Sequence, residues 1–134
     1  MENKFTTSLS GLNALVCGST SGIGLSTAHE FSESGASVTL FARNEEKLKK
    51  TLLSLQNSDS QKHQYLVGDF NTFSIIQEIV EAHISSGSKY HILINNSGGP
   101  KSGPIVDADT SEFIKGFNRH LVCNHILSQA LLPG

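Results

Sequence analysis

Val16-Cys17-Gly18-Ser19-Thr20-Ser21-Gly22-Ile23-Gly24 is the stretch that decides the fold of this 134-residue chain. An apolar run at residues 12–17 leads into it, and a helical pattern leaves it and continues to about residue 34. A strand, a glycine turn and a helix, in that order, form a cradle for a diphosphate. Glycines put no Cβ in the way, so the backbone turns tightly and comes close to the ligand. The free N–H groups of the first helical turn, at the positive end of the helix dipole, then face the phosphate oxygens. Ser19, Thr20 and Ser21 add hydroxyl donors beside Gly18, Gly22, Ile23 and Gly24. The spacing is G-x-x-x-G-x-G rather than the commoner G-x-G-x-x-G, and a purely structural turn is the competing reading. The flanking strand and helix favour the ligand site.

Working outward, short apolar runs alternate with helical patterns. Strands are expected at residues 12–17, 37–42, 63–67 and 90–95, and helices at 22–34, 45–56 and 72–85. In the first helix Ile23, Ala28 and Phe31 turn inward at three- and four-residue steps, joined by Leu25 and Thr27. Gly35 ends it. Asn44 caps the second, whose Leu48, Leu52 and Leu55 form a buried stripe. Ile75, Ile76, Ile79, Val80 and Ile84 form the apolar face of the third. Ile92-Leu93-Ile94 is expected to be a fully buried strand core. After a loop at 96–108, a helical stretch runs over 109–132, with a bend or break expected near Gly116 and Asn118-Arg119-His120. Apolar strands separated by amphipathic helices imply a parallel sheet covered on both faces. Right-handed crossovers give strand order 3-2-1-4, with the switch point between strands one and four at the glycine turn. One domain, residues 1–134, holds all of this.

Arg43 follows strand two directly. In dinucleotide folds an acid there hydrogen-bonds the ribose 2′-OH of NAD, while an Arg accepts a 2′-phosphate. The strand ends in Ala42-Arg43-Asn44, with no acid, which favours NADP(H) over NAD(H). An exposed Arg at a strand end is the plainer alternative. Two further clusters end strands three and four: Gly68-Asp69-Phe70, and Asn95-Asn96-Ser97-Gly98 followed by Gly99-Pro100.

Residues 17–24 resemble the T-G-x-x-x-G-I-G segment of the short-chain dehydrogenases/reductases, with Cys17 in the place of Thr. Asn95-Asn96-Ser97-Gly98 resembles that family's N-N-A-G, with Ser97 replacing Ala, and the likeness extends over residues 9–133. It implies a Rossmann-type doubly wound α/β fold, truncated after the helix that follows strand four. It also implies NAD(P)-dependent hydride transfer between a nicotinamide and a small carbonyl or alcohol substrate. On this resemblance Asp69 accepts a hydrogen bond from the adenine amino group and the backbone of Phe70 contributes; the alternative for Asp69 is a helix cap, a role Asn71 could also take. Asn95 is read as bracing neighbouring strands, and Asn96, Ser97 and Gly98 as lining the ribose and pyrophosphate. Counting back from Pro133, His120-Leu121 falls where Asn-Leu is usual. His120 is then either a donor or proton carrier or, the reading favoured, a satisfied helix histidine.

The family's chemistry rests on a Ser and a Tyr-x-x-x-Lys: the Tyr donates the proton, the Lys lowers its pKa, and the Ser positions the substrate oxygen. Here the tyrosines are Tyr65 and Tyr90, and four residues beyond them stand Asp69 and Ile94. Neither makes the motif, so no catalytic residue is assigned and the chain alone is expected not to turn over. The competing readings are a non-catalytic nucleotide-binding or interaction module that needs a partner chain, and an inactive remnant. An open edge at strand four and an uncovered last helix are expected to make a free-standing product marginal or drive it to self-associate.

Composition sets outer bounds. Net charge is −2, from 10 basic and 12 acidic residues, with no basic stripe for nucleic acid or a membrane surface. Neither an apolar run long enough for a bilayer nor a signal-like N-terminus is seen. Cys17 and Cys123 read as buried reduced thiols, and the six histidines show no ligand spacing, so no metal is assigned. The chain is expected to be soluble and cytoplasmic.

Overall fold

A computed structural model describes residues 7–133. Four parallel strands, β1 (Asn13–Cys17), β2 (Ser37–Ala42), β3 (Gln64–Val67) and β4 (Ile92–Ile94), form one sheet in the order β3-β2-β1-β4. The order is the one the crossovers require. The helices are α1 (Gly22–Glu33), α2 (Glu45–Ser54), α3 (Phe73–Ser85), α4 (Thr110–Phe117) and α5 (Cys123–Leu131). Most element ends fall one or two residues inside the expected ones, where helices and strands fray.

Side-chain alternation along β1 builds two cores. Ala14 and Val16 face α1 and α2, packing with Ala28, Val38, Leu40 and Leu48. Leu15 and Cys17 face the other way, into a cluster with Phe41 of β2, Ile76 and Val80 of α3, and Cys123 and Leu127 of α5. Each fully buried Leu or Val contributes about 1.5–3 kcal/mol. Both cysteines are free and buried, and burial pushes the Cys17 thiol up to about 12, so it is a packing group and not a nucleophile.

Three packing expectations need correction. Ile23 is 77% exposed, because it lies in the first turn of α1 where that helix overhangs the strand ends. The buried face of α1 is instead Gly24, Ala28 and Ser32, a strict four-residue row of small residues that lets the helix lie close on the sheet. Ile75 is 46% exposed, while Ile76 and Val80 carry the α3 contact. Ile92, Leu93 and Ile94 are half-buried, because β4 pairs with β1 on one side only. The bend or break expected near residues 116–120 takes the form of an irregular turn rather than an interruption. The helical path continues from α4 to α5 through a π-helical turn, Asn118–Val122, whose wider i→i+5 bonding takes up the irregularity.

A polar network closes the amino ends of the strands on the α3 side. The Tyr90 hydroxyl donates to Thr39 Oγ1 at 2.8 Å, Gln64 Nε2 donates to the same oxygen at 3.1 Å, and His83 Nε2 is bonded to the Tyr90 hydroxyl. Burial holds the His83 imidazole below its ordinary 6.5. The unfolded chain therefore takes up this proton first as pH falls. The His83 contribution is fully present above 6.5 and is lost as pH drops through the lower folded value. A His83→Gln chain should lose less of its urea midpoint than the parent between about pH 7.5 and about pH 5.5. An equal loss would assign the acid sensitivity to other groups.

Candidate functional site

The carboxyl ends of β2, β1 and β4 open onto one groove of about 480 Å³. Its floor is the glycine turn. Gly18 has φ +59°, in the left-handed region, and its N–H is used by the Phe41 carbonyl at 2.9 Å. Among the described residues no acceptor takes the N–H of Thr20 or Ser21, and both residues line the groove. A Cβ on Gly24 would overlap the Gly18 carbonyl and lie 2.8 Å from Asn96 Nδ2. One on Gly18 would lie 2.6 Å from the same nitrogen. The turn is therefore a cradle whose shape only glycine permits, and it fits a diphosphate.

Of the expected residues in this segment, Ser19 plays a different part. It is fully buried, and its Oγ accepts from the Phe41 N–H at 3.0 Å, bracing β2 against the turn. Its hydroxyl is not presented to the groove. Gly24 is buried behind the groove wall, and Gly22, with φ +54°, is exposed outside the groove, whereas Ile23 lines it.

At the β2 end, Arg43 lines the groove in an exposed position. Asn44 also lines it, but its Oδ1 accepts from the Lys47 N–H at 2.9 Å, so its side chain is the N-cap of α2. Lys47 joins Arg43 on the groove wall, one helical turn later. The neighbouring acids are engaged elsewhere: Glu45 and Glu46 pair with Lys49 at 3.3 and 3.8 Å. Among the described residues, no carboxylate pairs with Arg43 or Lys47.

From β3, Asp69 Oδ1 accepts from the backbone and side-chain nitrogens of Asn71 at 2.9 and 3.0 Å. The N-cap of α3 is Thr72, so neither Asp69 nor Asn71 is the cap itself. Phe70 is buried edge-to-face against Phe41, with ring centroids 5.1 Å apart, and its carbonyl accepts from Cys123 Sγ at 3.4 Å. Asp69, Phe70 and Asn71 all line the groove.

Beyond β4, Asn96 reaches across the strand ends. Its Nδ2 donates to the Cys17 carbonyl at 3.2 Å, with the Gly18 carbonyl at 3.4 Å. Bracing was expected of Asn95, but Asn95 is exposed and turns to the open side of β4, toward Tyr90, Leu131 and Leu132. The one-residue difference follows from strand alternation, which sends neighbouring side chains to opposite sides. Ser97, Gly98 and Gly99 complete the wall. His120, on the π turn, places Nδ1 3.0 Å from Ser97 Oγ. Lys47, Asn71 and Arg119 were not anticipated from the sequence. The spacing of Lys47 from Arg43 was the available signal; Arg119 had none, because only the π turn rotates it onto the groove.

Residues 12–134 match the family model for short chain dehydrogenase. An uncharacterized oxidoreductase of Schizosaccharomyces pombe is 40% identical over 126 residues, 93% of this chain and 37% of that protein. A dehydrogenase/reductase family member of Arabidopsis thaliana is 32% identical over 94% of this chain and 35% of its own length. The crystal structure of L-sorbose reductase from Gluconobacter frateurii, complexed with NADPH and L-sorbose, superposes with TM-score 0.83 at 28% identity, covering 96% of this chain and 49% of that one. A short chain dehydrogenase of Escherichia coli complexed with NADPH gives TM-score 0.79 at 25% identity, over 93% and 53%. The chain thus spans about a third to a half of the curated relatives' length. With the motif, the strand order and the family match in agreement, the chain belongs to the short-chain dehydrogenase family.

Proposed function

We propose that this chain binds NADP(H) in the groove at the carboxyl ends of β2, β1 and β4, as the cofactor-binding part of a short-chain oxidoreductase. The observation that carries this is the glycine cradle, flanked on the β2 side by Arg43 and Lys47, neither of which is paired with a carboxylate among the described residues. In this reading the amides of Thr20 and Ser21 take the diphosphate, and Arg43 and Lys47 take the adenosine 2′-phosphate. The free oxygen of Asp69 takes the adenine amino group. Asn96 keeps the turn in shape while Ser97 and Gly98 border the nicotinamide ribose. Bound there, the nicotinamide supplies or accepts the hydride for a small carbonyl or alcohol substrate. Proton transfer to that substrate uses residues other than Tyr65 and Tyr90, neither of which begins a Tyr-x-x-x-Lys motif.

Two supporting features bear on setting. Both thiols are free and no described helix is long and apolar enough to cross a membrane, in keeping with a cytoplasmic protein. Phe113, Ile114 and Phe117 expose more than half their surface on α4, which favours self-association. A nucleotide-binding module that works with a partner chain is the second reading, favoured by the exposed Phe113, Ile114 and Phe117 of α4. The test is thermal melting with NADPH. At about 100 times Kd the cofactor should stabilise the fold by about 2.7 kcal/mol. No rise in melting temperature contradicts both readings, and a rise with steady NADPH oxidation by the pure chain contradicts the second.

A further inference from the structure

Arg119 is the one groove cation that stands apart from the β2 end. It projects from the π turn on the α3/α5 side of the sheet, and reaches the loop beyond β4. Its present partners are weak: Nε donates to the Lys115 carbonyl and Nη1 to the Gly99 carbonyl, both at 3.4 Å. That is the long limit for such bonds, and a guanidinium carries five donors. The nearest acid on its own helix, Glu112, is already paired with Lys115 at 2.8 Å. The bond between His120 and Ser97 fixes the π turn against the loop, so the position of Arg119 is set before any ligand arrives.

Resting on the cofactor reading above, we propose that Arg119 is a ligand of the dinucleotide's diphosphate, closing on it from the side opposite the N–H groups of the glycine turn. Strand spacing decides which phosphate it meets. The β2 and β4 ends flank β1, and two strand intervals of about 4.8 Å separate them by roughly 10 Å. Arg119 Nη1 lies at the Gly99 carbonyl on the β4 side and Arg43 and Lys47 stand at the β2 end, so the diphosphate over the β1 turn between them is the nearer phosphate. Arg119 then exchanges the Gly99 carbonyl, held at 3.4 Å, for an anionic oxygen and makes a shorter hydrogen bond between opposite charges.

The test compares the parent chain with Arg119→Gln, binding NADPH, NADH and adenosine 2′-monophosphate, which carries the 2′-phosphate and no diphosphate. NADPH and NADH should each bind about tenfold more weakly to the variant, and the monophosphate within about twofold of the parent. Unchanged dinucleotide affinity overturns the role of Arg119 while leaving the groove reading intact. Weakening of the monophosphate to the same extent assigns Arg119 to the adenosine end and also overturns it. A parent chain that binds neither dinucleotide overturns the groove reading and this proposal with it. Should Arg119→Gln melt well below the parent, Arg119→Met, which keeps the apolar stem, carries the same comparison.

Discussion

A Gly24→Ala chain should lose cofactor binding by more than about tenfold and melt roughly 5–15 °C below the parent. The added methyl overlaps the Gly18 carbonyl and crowds Asn96 Nδ2 at 2.8 Å. Neither neighbour can retreat cheaply. The Gly18 carbonyl is main chain in a turn whose N–H is held by Phe41, and the Asn96 amide spans the ends of β1 and β4. Overpacking of this kind costs about 1–3 kcal/mol in well-packed sites, and here the strain falls on the diphosphate cradle. Gly22→Ala is the contrast: nothing stands near its Cβ, and its cost is that of a positive φ alone. Equal binding by Gly24→Ala would show that the turn yields and that the glycine spacing is not what shapes the site.

Removing both β2-side cations, as Arg43→Gln with Lys47→Gln, should weaken NADPH by about 30-fold or more and leave NADH within about threefold. A hydrogen bond to a charged group contributes about 1.5–3 kcal/mol, and both side chains are exposed, so the low end applies to each. The discrimination should shrink as salt rises, because exposed charges are screened within about 10 Å at 0.1 M. Competitive titration of the two nucleotides at low and high salt checks this. A parallel loss for NADH would place the pair on the diphosphate instead and remove the basis for NADP(H) preference.

What could be read in advance followed from physics that is local in sequence. The strand–glycine–helix order, the Asn44 cap and the strand order 3-2-1-4 all rest on short-range chemistry or on chirality, and each holds in the structure. Burial was harder to read where it depends on partners distant in sequence. Ile23 is apolar and in phase, yet it overhangs the strand ends; small Gly24, Ala28 and Ser32 take the buried row because close helix-to-sheet contact excludes bulk there. Ser19 looked like a ligand donor, and its role became visible only when β2 was laid beside it. The bracing expected of Asn95 falls to Asn96, which also lines the groove, because neighbouring side chains at the end of β4 face opposite sides. The Asn118-Arg119-His120 cluster announced an irregularity but not its form, and Arg119 and the Ser97–His120 bond depend on the π turn that it takes.

Amide-resolved NMR of the 134-residue chain, titrated with NADPH, tests the central claim most directly. Perturbed signals should map to the glycine turn at residues 18–24, to Asp69–Asn71, to Ser97–Gly99, and to Arg43 and Lys47, the groups that meet in the one groove. Shifts confined to other surfaces, or none at saturating nucleotide, would contradict the assignment of this groove as the dinucleotide site.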